Sequence, residues 1–548
     1  MRRMIVAFEL NVSGEVGLMK TKLKSGRHWL MTASLLATGT LFGCDDTLDV
    51  IIVDGSVNPA VDGAATGTGG VKADGSVGGA AGGVLDGSVA DGGIAIRPPG
   101  PCQGYPLPAD QHFVADGLCV GQLATEQGEL RQLTFAPNGD LFGVLVTGQI
   151  RRYRDINKNG VFDSGTSEIL DWADTGGFNG HNVHIDAVGG FIYAGTAMGV
   201  KRWPYTVASN SGGVGEDVMD GQPSSGTHKF HPVHVYNGMM YVSSGSENNI
   251  VNPVDPVANA VGDYDTVRAV IKRFDLSKFT PGTKMKWSMG EVFSRGLRNV
   301  VGFTQDASGR LYGVVNGIDG LRYKGEDVSK DNPGETLVLL EQGKGYGYPY
   351  CFTANLIPTA AGFVTPGTQL RSEGVNIAEP MQPFVNPAAR DGAWCAVNST
   401  LPLTTFQAHT APLDIVISDT TSVGLPLTMQ RGAFVSLHGS WNRTVSVGHT
   451  IVFVPFDATG RPALPTANAA GVTFPYQVIF GGGKQGQFKD GLWSWSDGVR
   501  GETRVRVVGV AISPVDGALY VSSDNGRIVG MPSTNVPNGA IYRISKRL

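Results

Sequence analysis

Three histidines stand at every third position in the segment SSGTHKFHPVHVYNG: His228, His231 and His234. Neutral imidazole is both a general base and a common metal ligand, so two chemistries are open. A three-histidine metal site needs all rings on one face, but residues three apart on a strand point to opposite sides, and Pro232 excludes a helix. The spacing favours His228 as a base and its two neighbours as hydrogen-bonded scaffold residues, with the metal site as the alternative.

Further histidine and arginine side chains stand where other predicted strands begin or end. They are His181, His184, Arg298 with Asn299, His409, His438, Arg443, Arg504 and Arg506. Cations that gather in one place repel one another unless an anion lies among them. The pattern therefore predicts a site for an anionic ligand, provided that the fold brings these strand ends together.

The elements that would position these residues follow from a repeated pattern. Alternating apolar and polar residues flank a short glycine turn in six segments: 131–153, 181–203, 231–245, 298–317, 411–438 and 506–528. This pattern predicts β-hairpins, and their number over residues 100–548 predicts an all-β fold, a six-bladed β-propeller. Because the inner strand of each blade begins at the central channel, the residues before these strands should meet at one mouth.

A second ion site is predicted by the segment DINKNGVFD, which resembles the first nine residues of a calcium-binding loop. Its oxygen-bearing side chains are Asp155, Asn157, Asn159 and Asp163. Thr166 occupies the position where the usual loop has a bidentate glutamate, and Glu168 follows two residues later. The segment is interpreted either as a structural calcium site or as a surface turn rich in Asp and Asn. Glu335 and Tyr346 are likewise interpreted either as lining a further ion site or as packing residues.

The N-terminal region is typical of an exported protein. Read from Met19, a basic segment and an apolar run lead to Cys44, which predicts a lipoprotein signal over residues 1–44. Residues 45–99 are mostly Gly, Ala, Val, Ser and Asp and contain no aromatic residue, which predicts a flexible linker. We expect a protein exported and held on a bacterial membrane by lipid, in the outer membrane or periplasm, with an ordinary cleaved signal and secretion as the alternative.

Cysteine content and net charge indicate the redox compartment and the class of partner. Apart from Cys44, four cysteines remain, and short separations favour the pairs Cys102–Cys119 and Cys351–Cys395, although other connectivities and free thiols stay open. The net charge is -5 and neither Lys nor Arg forms a long run. This composition argues against nucleic acid as a partner.

Several segments together resemble one family of enzymes. These are GTHKFHPVHVYNGMMYVSSGSENN, SRGLRNVVGF, GKGYGYPYC, AHTAPLDI, AFVSLHGSWNRT and RVVGVAISPVDGALYVSSDNGRI. They occur in the order found in the soluble glucose dehydrogenase and sorbosone dehydrogenase family, quinoproteins that use pyrroloquinoline quinone (PQQ). The resemblance extends over most of residues 105–546.

The resemblance implies a dehydrogenase that oxidises a sugar, polyol or related aldehyde and passes electrons to a cytochrome or a quinone. His228 matches the family's base, and Arg298 would stabilise the charge that develops on the reduced quinone. The implied cofactor-binding residues are Arg298, Asn299, His438, Arg443, Arg504 and Arg506. Backbone carbonyls at Gly317 and Ile318 fall where the family holds a calcium ion.

The chain also departs from the glucose enzymes. Thr227 stands where they have an acidic residue, Phe178 or Asn179 where they have a glutamine, and Val508 where they have a second arginine. The substrate is therefore not transferred by the resemblance. Two other functions stay open: a non-catalytic propeller that binds carbohydrate or a partner, and a metal-dependent lactonase-type hydrolase, which would need carboxylates and asparagines at the axial end.

Overall fold

A computed structural model describes sixteen stretches of the chain. They are residues 96–97, 102, 112–125, 127–177, 182–253, 256–257, 264–360, 362–375, 384–440, 442–443, 445–463, 475–482, 486–489, 492–495, 505–524 and 539–547. The expected signal with Met19 and Cys44, and the linker up to residue 95, lie outside the described residues, as do His181, Phe178, Asn179 and Arg504.

Six larger sheets of the described chain are the blades of a β-propeller, each named here from its innermost strand outwards. Blade 1 consists of Leu130–Phe135, Leu141–Leu145, Gln149–Tyr153 and Ile169–Asp174. Blade 2 consists of Val183–Asp186, Phe191–Gly195, Val200–Pro204, Glu216–Asp220 and Met285–Lys286. Blade 3 consists of Val233–Tyr236, Met239–Ser244, Val270–Asp275, Glu291–Arg295 and Lys344–Gly345.

The remaining blades complete the ring. Blade 4 consists of Val300–Gln305, Leu311–Val315, Glu335–Leu340 and Thr404–Phe406. Blade 5 consists of Pro412–Ser418, Gly432–Leu437, Thr450–Pro455, Gln477–Gly482, His112–Ala115 and Ile96–Arg97. Blade 6 consists of Val507–Ile512, Leu519–Ser523, Ala540–Lys546 and Leu118–Ala124. The six hairpin segments predicted from the sequence are the first strands of these six blades, which confirms the six-bladed propeller.

Shorter elements lie between the blade strands. Two-stranded ribbons pair Pro256–Val257 with Tyr264–Asp265, Arg322–Tyr323 with Glu326–Asp327, Cys351–Thr353 with Gln369–Arg371, Pro358–Thr359 with Gly362–Phe363, and Gly486–Lys489 with Leu492–Trp495. An α-helix spans Gly392–Asn398, and 3-10 turns span Leu276–Lys278, Trp287–Met289 and Leu427–Met429. No helix within the described residues is long and apolar enough to cross a membrane.

The two ends of the propeller chain close the ring. Leu118–Ala124 pairs antiparallel with Ala540–Lys546, so an early strand completes the last blade. Ile96–Arg97, which lies within the segment expected to be linker, pairs with His112–Ala115 at the outer edge of blade 5. Disulfides join Cys102 to Cys119 and Cys351 to Cys395, which confirms both predicted pairs. The closing strand contains Cys119, so the first of these disulfides also anchors it covalently.

The hydrophobic core is a ring of blade-to-blade interfaces. Each neighbouring pair of blades shares one buried cluster, such as Phe142 and Val144 of blade 1 with Val183 and Ile192 of blade 2. Burial of each such side chain contributes roughly 1.5–3 kcal/mol. Because the apolar faces are used between the blades, the strand ends and the channel are left for polar groups.

Candidate functional site

Residues that precede the inner strands of blades 3 and 4 meet at one wall of the channel mouth. The backbone N–H of Ser246 donates to the Arg298 carbonyl over 2.7 Å, while the Ser246 carbonyl accepts from His228 Nδ1 over 3.0 Å. A Cβ built on Gly245 would lie 2.6 Å from His228 Cβ and 2.8 Å from Asn299 Oδ1. The structure therefore brings His228, Arg298 and Asn299 together, and the glycine allows their close approach.

The hydrogen bonds of His228 determine its tautomer. Nδ1 lies 3.0 Å from the Ser246 carbonyl and 2.9 Å from Ser246 Oγ, and that hydroxyl donates its own proton to the Asn248 carbonyl. Both neighbours of Nδ1 are thus acceptors, so Nδ1 carries the proton and Nε2 keeps its lone pair. Burial, reinforced by the positive charge of Arg298, lowers the pKa of His228 to about 3. The imidazole is neutral at pH 7 and has the form that a general base requires.

Arg298 is held in one orientation by Asn249 and Asp319. Its Nε donates to the Asn249 carbonyl over 2.9 Å, and a terminal nitrogen donates to Asn249 Oδ1 over 3.0 Å. The same terminal nitrogen lies 3.5 Å from a carboxylate oxygen of Asp319. The guanidinium is therefore fixed by two residues rather than free to swing.

Asp319 joins Arg298 to the turn that precedes blade 5. Its carboxylate accepts from Asn442 over 3.0 Å and lies 3.3 Å from His409 Nδ1. Burial alone would raise the pKa of Asp319, but the hydrogen bond from His409 and the charge of Arg298 hold it below its ordinary value. His409 Nε2 lies 2.5 Å from the Ser329 carbonyl, so both ring nitrogens face acceptors. This arrangement favours the imidazolium form of His409.

A second cluster joins the end of the second strand of blade 5 to blade 6. Arg506 donates to His438 Nδ1 over 2.9 Å and to the Gly439 carbonyl over 3.1 Å, and His438 Nε2 donates to Asp524 over 2.7 Å. Arg131 donates to the same Asp524 oxygen over 3.0 Å. Burial, together with Arg506, lowers the pKa of His438 to about 4. Both nitrogens of His438 are occupied, so it lacks the open lone pair of His228.

Arg443 lies beside the loop that follows the second strand of blade 4. Its guanidinium donates to the Lys330 carbonyl and, over 3.1 Å, to a carboxylate oxygen of Asp331. Its neighbour Asn442 is the residue that reaches Asp319. The HGSWNR segment therefore contributes to the mouth through both residues.

The mouth is less cationic than the sequence predicted. Each arginine that was predicted to face an anionic ligand, and that the structure describes, already has a carboxylate near it: Asp319, Asp331 and Asp524. The sequence reasoning overlooked these acids because it considered only His and Arg. Asp524 directly follows the second strand of blade 6, as His438 follows that of blade 5, so the same rule applied to acidic residues would have found it.

The Gly317 backbone, next to Ile318, is also fixed. The Gly317 N–H donates to Glu335 Oε2 over 2.6 Å, and a Cβ on Gly317 would lie 2.6 Å from Pro333 Cγ. Burial, with a contribution from the nearby Asp319 charge, raises the pKa of Glu335 to about 7. The donors in this region are carbonyl and carboxylate oxygens, the ligand types that calcium prefers, so the residues present fit a calcium ion.

The loop at Asp155 is folded by its own hydrogen bonds. Asp155 accepts from the backbone of Asn159 and Gly160, and Asp163 Oδ2 accepts from both Asn157 Nδ2 and Asn159 Nδ2 over 2.8 and 2.9 Å. Glu168, which is buried, accepts the N–H groups of Ile156, Asn157 and Asp163 from inside the loop. The four predicted side chains are brought together, and calcium binding at this loop stays a prediction.

The remaining histidines do not share the site of His228. His231 is buried, with Nδ1 3.3 Å from the Ser243 carbonyl. The His234 ring lies 4.2 Å from that of His184, and both line the lower part of the channel. Placing His184 at the mouth was therefore wrong, because it lies within the inner strand of blade 2 and not before it. No group of three or more His, Cys, Asp or Glu side chains in the described ranges is arranged to hold a metal ion.

Comparisons with known proteins agree with this architecture. The family model described as TrAA12-like matches residues 112–531. The pyrroloquinoline quinone-dependent pyranose dehydrogenase of Coprinopsis cinerea is 25% identical over 442 residues, covering 77% of this chain and 54% of that protein. The pyrroloquinoline quinone-dependent sugar dehydrogenase of Hypocrea jecorina is 28% identical over 384 residues, covering 66% of this chain and 78% of that protein.

A solved structure shows the same fold. The holo form of the pyranose dehydrogenase PQQ domain from Coprinopsis cinerea superposes with a TM-score of 0.60 at 24% identity, over 81% of this chain and 99% of that domain. The chain thus spans nearly all of the solved domain but 54% of the length of the full Coprinopsis protein.

Proposed function

We propose, from the premise that this chain belongs to the TrAA12-like family, that it is a PQQ-dependent dehydrogenase of sugars or related alcohols. The single observation that carries the proposal is the state of His228. Its Nδ1 proton is held by Ser246, its Nε2 lone pair is open, and it lies beside Arg298. A neutral base next to a fixed guanidinium is the arrangement that removal of a hydroxyl proton requires.

The residues at the mouth fit a carboxylate-rich cofactor. Arg506 is largely buried, and its Nε has no hydrogen-bond partner within the described chain. A buried, unsatisfied donor is costly, and a ligand carboxylate would satisfy it. Arg298 and Asn299 belong to the other cluster, before the inner strand of blade 4, so donors from two separate clusters are available to a tricarboxylate.

Each residue then has a distinct role. When bound, PQQ supplies an acceptor for the two electrons and the hydrogen of the substrate C–H bond. His228 Nε2 takes the proton of the substrate hydroxyl, and Nδ1 stays bonded to Ser246 as the imidazolium forms. Arg298 stabilises negative charge near the base, and Asn249 and Asp319 keep it oriented. Calcium would be held by the Gly317 and Ile318 carbonyls, and Glu335 fixes the Gly317 backbone.

The cellular setting is part of the proposal. We infer an exported protein, held by lipid at Cys44 on a bacterial membrane, that passes electrons to a cytochrome or a quinone. The two disulfides support an oxidising compartment. Globomycin treatment of expressing cells tests the anchor: processing should be blocked, whereas unaffected processing would favour an ordinary signal peptide.

Reconstitution tests the activity. Purified protein is loaded with PQQ and calcium, and the absorbance of the reduced cofactor is followed while pyranoses, polyols and lactones are added. We expect substrate-dependent reduction in the wild type and in His231→Asn, a buried histidine three residues from the base. Reduction in His228→Asn should be slower by about 10²–10⁴-fold. Cofactor that stays oxidised with every substrate would leave a binding propeller, and chelator-sensitive lactone hydrolysis without reduction would favour the hydrolase.

A further inference from the structure

A level of hydrogen bonds crosses the channel just below the mouth, where the innermost strand of each blade is a sheet edge. Edge strands have backbone N–H and C=O groups that no neighbouring strand satisfies. Gln132 Nε2 donates towards the Val301 carbonyl over 3.1 Å, the Leu413 carbonyl over 3.1 Å and Asp414 Oδ1 over 3.0 Å. One buried amide of blade 1 thus reaches the inner strands of blades 4 and 5.

Two further side chains connect the other blades to Gln132. Asn182, before blade 2, donates to Gln132 Oε1 over 2.6 Å and accepts from the Val233 N–H of blade 3 over 2.8 Å. Asp414 Oδ2 accepts from the Val510 N–H of blade 6 over 2.9 Å. The three side chains therefore bond to groups from all six inner strands or their immediate approaches.

The inner strands have β-bulges and glycines where these three side chains meet. Four inner strands have a β-bulge here, between Leu130 and Leu133, Val300 and Gly302, Pro412 and Asp414, and Val507 and Val510. A bulge redirects side chains and frees backbone groups from the ladder. Glycine allows the strands to close in: a Cβ on Gly302 would lie 2.5 Å from Asp414 Cα, and one on Gly509 2.7 Å from the Arg131 carbonyl.

An apolar group completes the same level. Val301, Leu413 and Val508 form a small buried cluster where three bulges meet. Val508 is the residue that stands in place of an arginine of the glucose enzymes, and here it is 1% exposed. The carbonyls of Val301 and Leu413 accept from Gln132, so the apolar cluster and the hydrogen-bonded side chains lie at the same level of the axis.

Below this level the channel opens again into a chamber. Its volume is about 360 Å³, and its lining includes Thr134, His184, His234 and Phe303 as well as the three hydrogen-bonding side chains. On the other side, Arg131 precedes Gln132 and binds Asp524 in the mouth cluster. The bonded level thus lies between the candidate reaction site and the chamber.

We propose that Gln132, Asn182 and Asp414 form a septum that closes the propeller axis beneath the reaction site and fixes the starts of the six inner strands. The septum separates the mouth from the chamber, so substrate and water reach the reaction site from the mouth side. Gln132 follows Arg131 in the sequence and donates to the Val301 carbonyl, but it touches none of the proposed catalytic groups. It therefore acts as a positioning residue.

Hydrogen–deuterium exchange of the full protein tests the septum. We expect Gln132→Met, which keeps the side-chain length without its amide, to speed exchange in peptides spanning 233–236 and 507–512 by about tenfold or more through local opening. Thr134→Ala is the matched control: it lies on the same strand and lines the chamber but takes no part in the septum. It should leave both peptides within about twofold of the wild type.

The pattern of exchange separates a septum from a general loss of stability. Asn182→Ala should speed exchange at 233–236 more than at 507–512, and Asp414→Ala should do the reverse. Equal acceleration in the outer strands of every blade, or unchanged exchange in Gln132→Met, would overturn the proposal. The exchange measurement needs no cofactor, so its outcome tests the septum independently of the proposed function.

A kinetic readout rests on the proposed function. In the loaded dehydrogenase, Gln132→Met should lower kcat by about tenfold through displacement of the mouth groups, with KM within about threefold. An unchanged kcat would remove the positioning role of Gln132 even if the exchange pattern were found.

Discussion

The mouth and the septum are built from the same inner strands but have opposite chemistry. Arg298 and Val301 are three residues apart in sequence, and Arg506 and Val508 are two apart, yet the first of each pair is charged and the second belongs to the apolar cluster of the septum. Residues before a strand reach the mouth, where the buried charges of Arg298 and Arg506 have carboxylates near them. Residues in the bulges point into the closed axis, where neutral groups and exact pairing of backbone groups are favoured.

The comparison predicts that turnover depends most strongly on the base at the mouth and that changes at the septum act first on stability. His228→Asn is the strongest test of the prediction for the mouth, because asparagine can still donate to Ser246 but has no Nε2 lone pair. We expect turnover of the loaded enzyme to fall by about 10²–10⁴-fold, with the unfolding midpoint nearly unchanged. Single-turnover reduction of the cofactor measures the change, and near-normal reduction would place the base at another residue.

Asp414→Asn tests the prediction for the septum through the pH dependence of stability. Burial raises the pKa of Asp414 to about 8 from an ordinary value of 3.8, so the folded protein keeps a proton that the unfolded chain releases. The stability that this carboxyl contributes is fully present below pH 3.8 and is lost as the pH rises towards 8. At roughly 1.4 kcal/mol per pKa unit, the upper limit of the extra stability that the wild type loses, relative to the variant, is about 6 kcal/mol over this range.

Urea titrations of wild type and Asp414→Asn at a series of pH values measure this difference. Parallel stability curves between pH 4 and pH 8 would show that Asp414 is ionised in the folded septum. Turnover per loaded molecule, measured alongside, should change less than in His228→Asn.

His438→Ala sharpens the comparison within the mouth. Because both nitrogens of His438 are already bonded, its removal leaves Arg506 and Asp524 with one partner fewer rather than removing a base. We expect the free energy of unfolding to fall by about 1–3 kcal/mol and turnover of the loaded enzyme to stay within about tenfold. A loss of turnover as large as that of His228→Asn would show that the two imidazoles have equivalent roles.

Ser246→Ala should have the smallest effect. The variant removes the Oγ neighbour of His228 Nδ1 but keeps the Ser246 carbonyl, which alone preserves the tautomer. We expect turnover to fall by about threefold or less, since the carbonyl bond remains and the loss is then near the lower end of one neutral hydrogen bond, roughly 0.5 kcal/mol. A loss comparable to that of His228→Asn would mean that the hydroxyl, rather than the carbonyl, sets the tautomer.

Local patterns in the sequence were sufficient for much of the fold. Alternation around glycine turns predicted the six hairpins, because a half-buried strand needs one apolar face. Short separations predicted both disulfides. The sequence also placed His228, Arg298, Asn299, His438 and Arg506 at one mouth. A position just before an inner strand, or just after the second strand as for His438, depends only on where those strands begin and end.

Only the tertiary structure decided what each of these groups can do. The partners of His228, His409 and His438 come from segments 18 to 90 residues away, and those partners make the first an open base, the second a cation and the third a neutral link. The septum depends on bulges in four separate strands, and a bulge is defined by the register with a neighbour. Alternation determines which face of a strand is buried, but protonation, pairing and closure depend on contacts between distant segments.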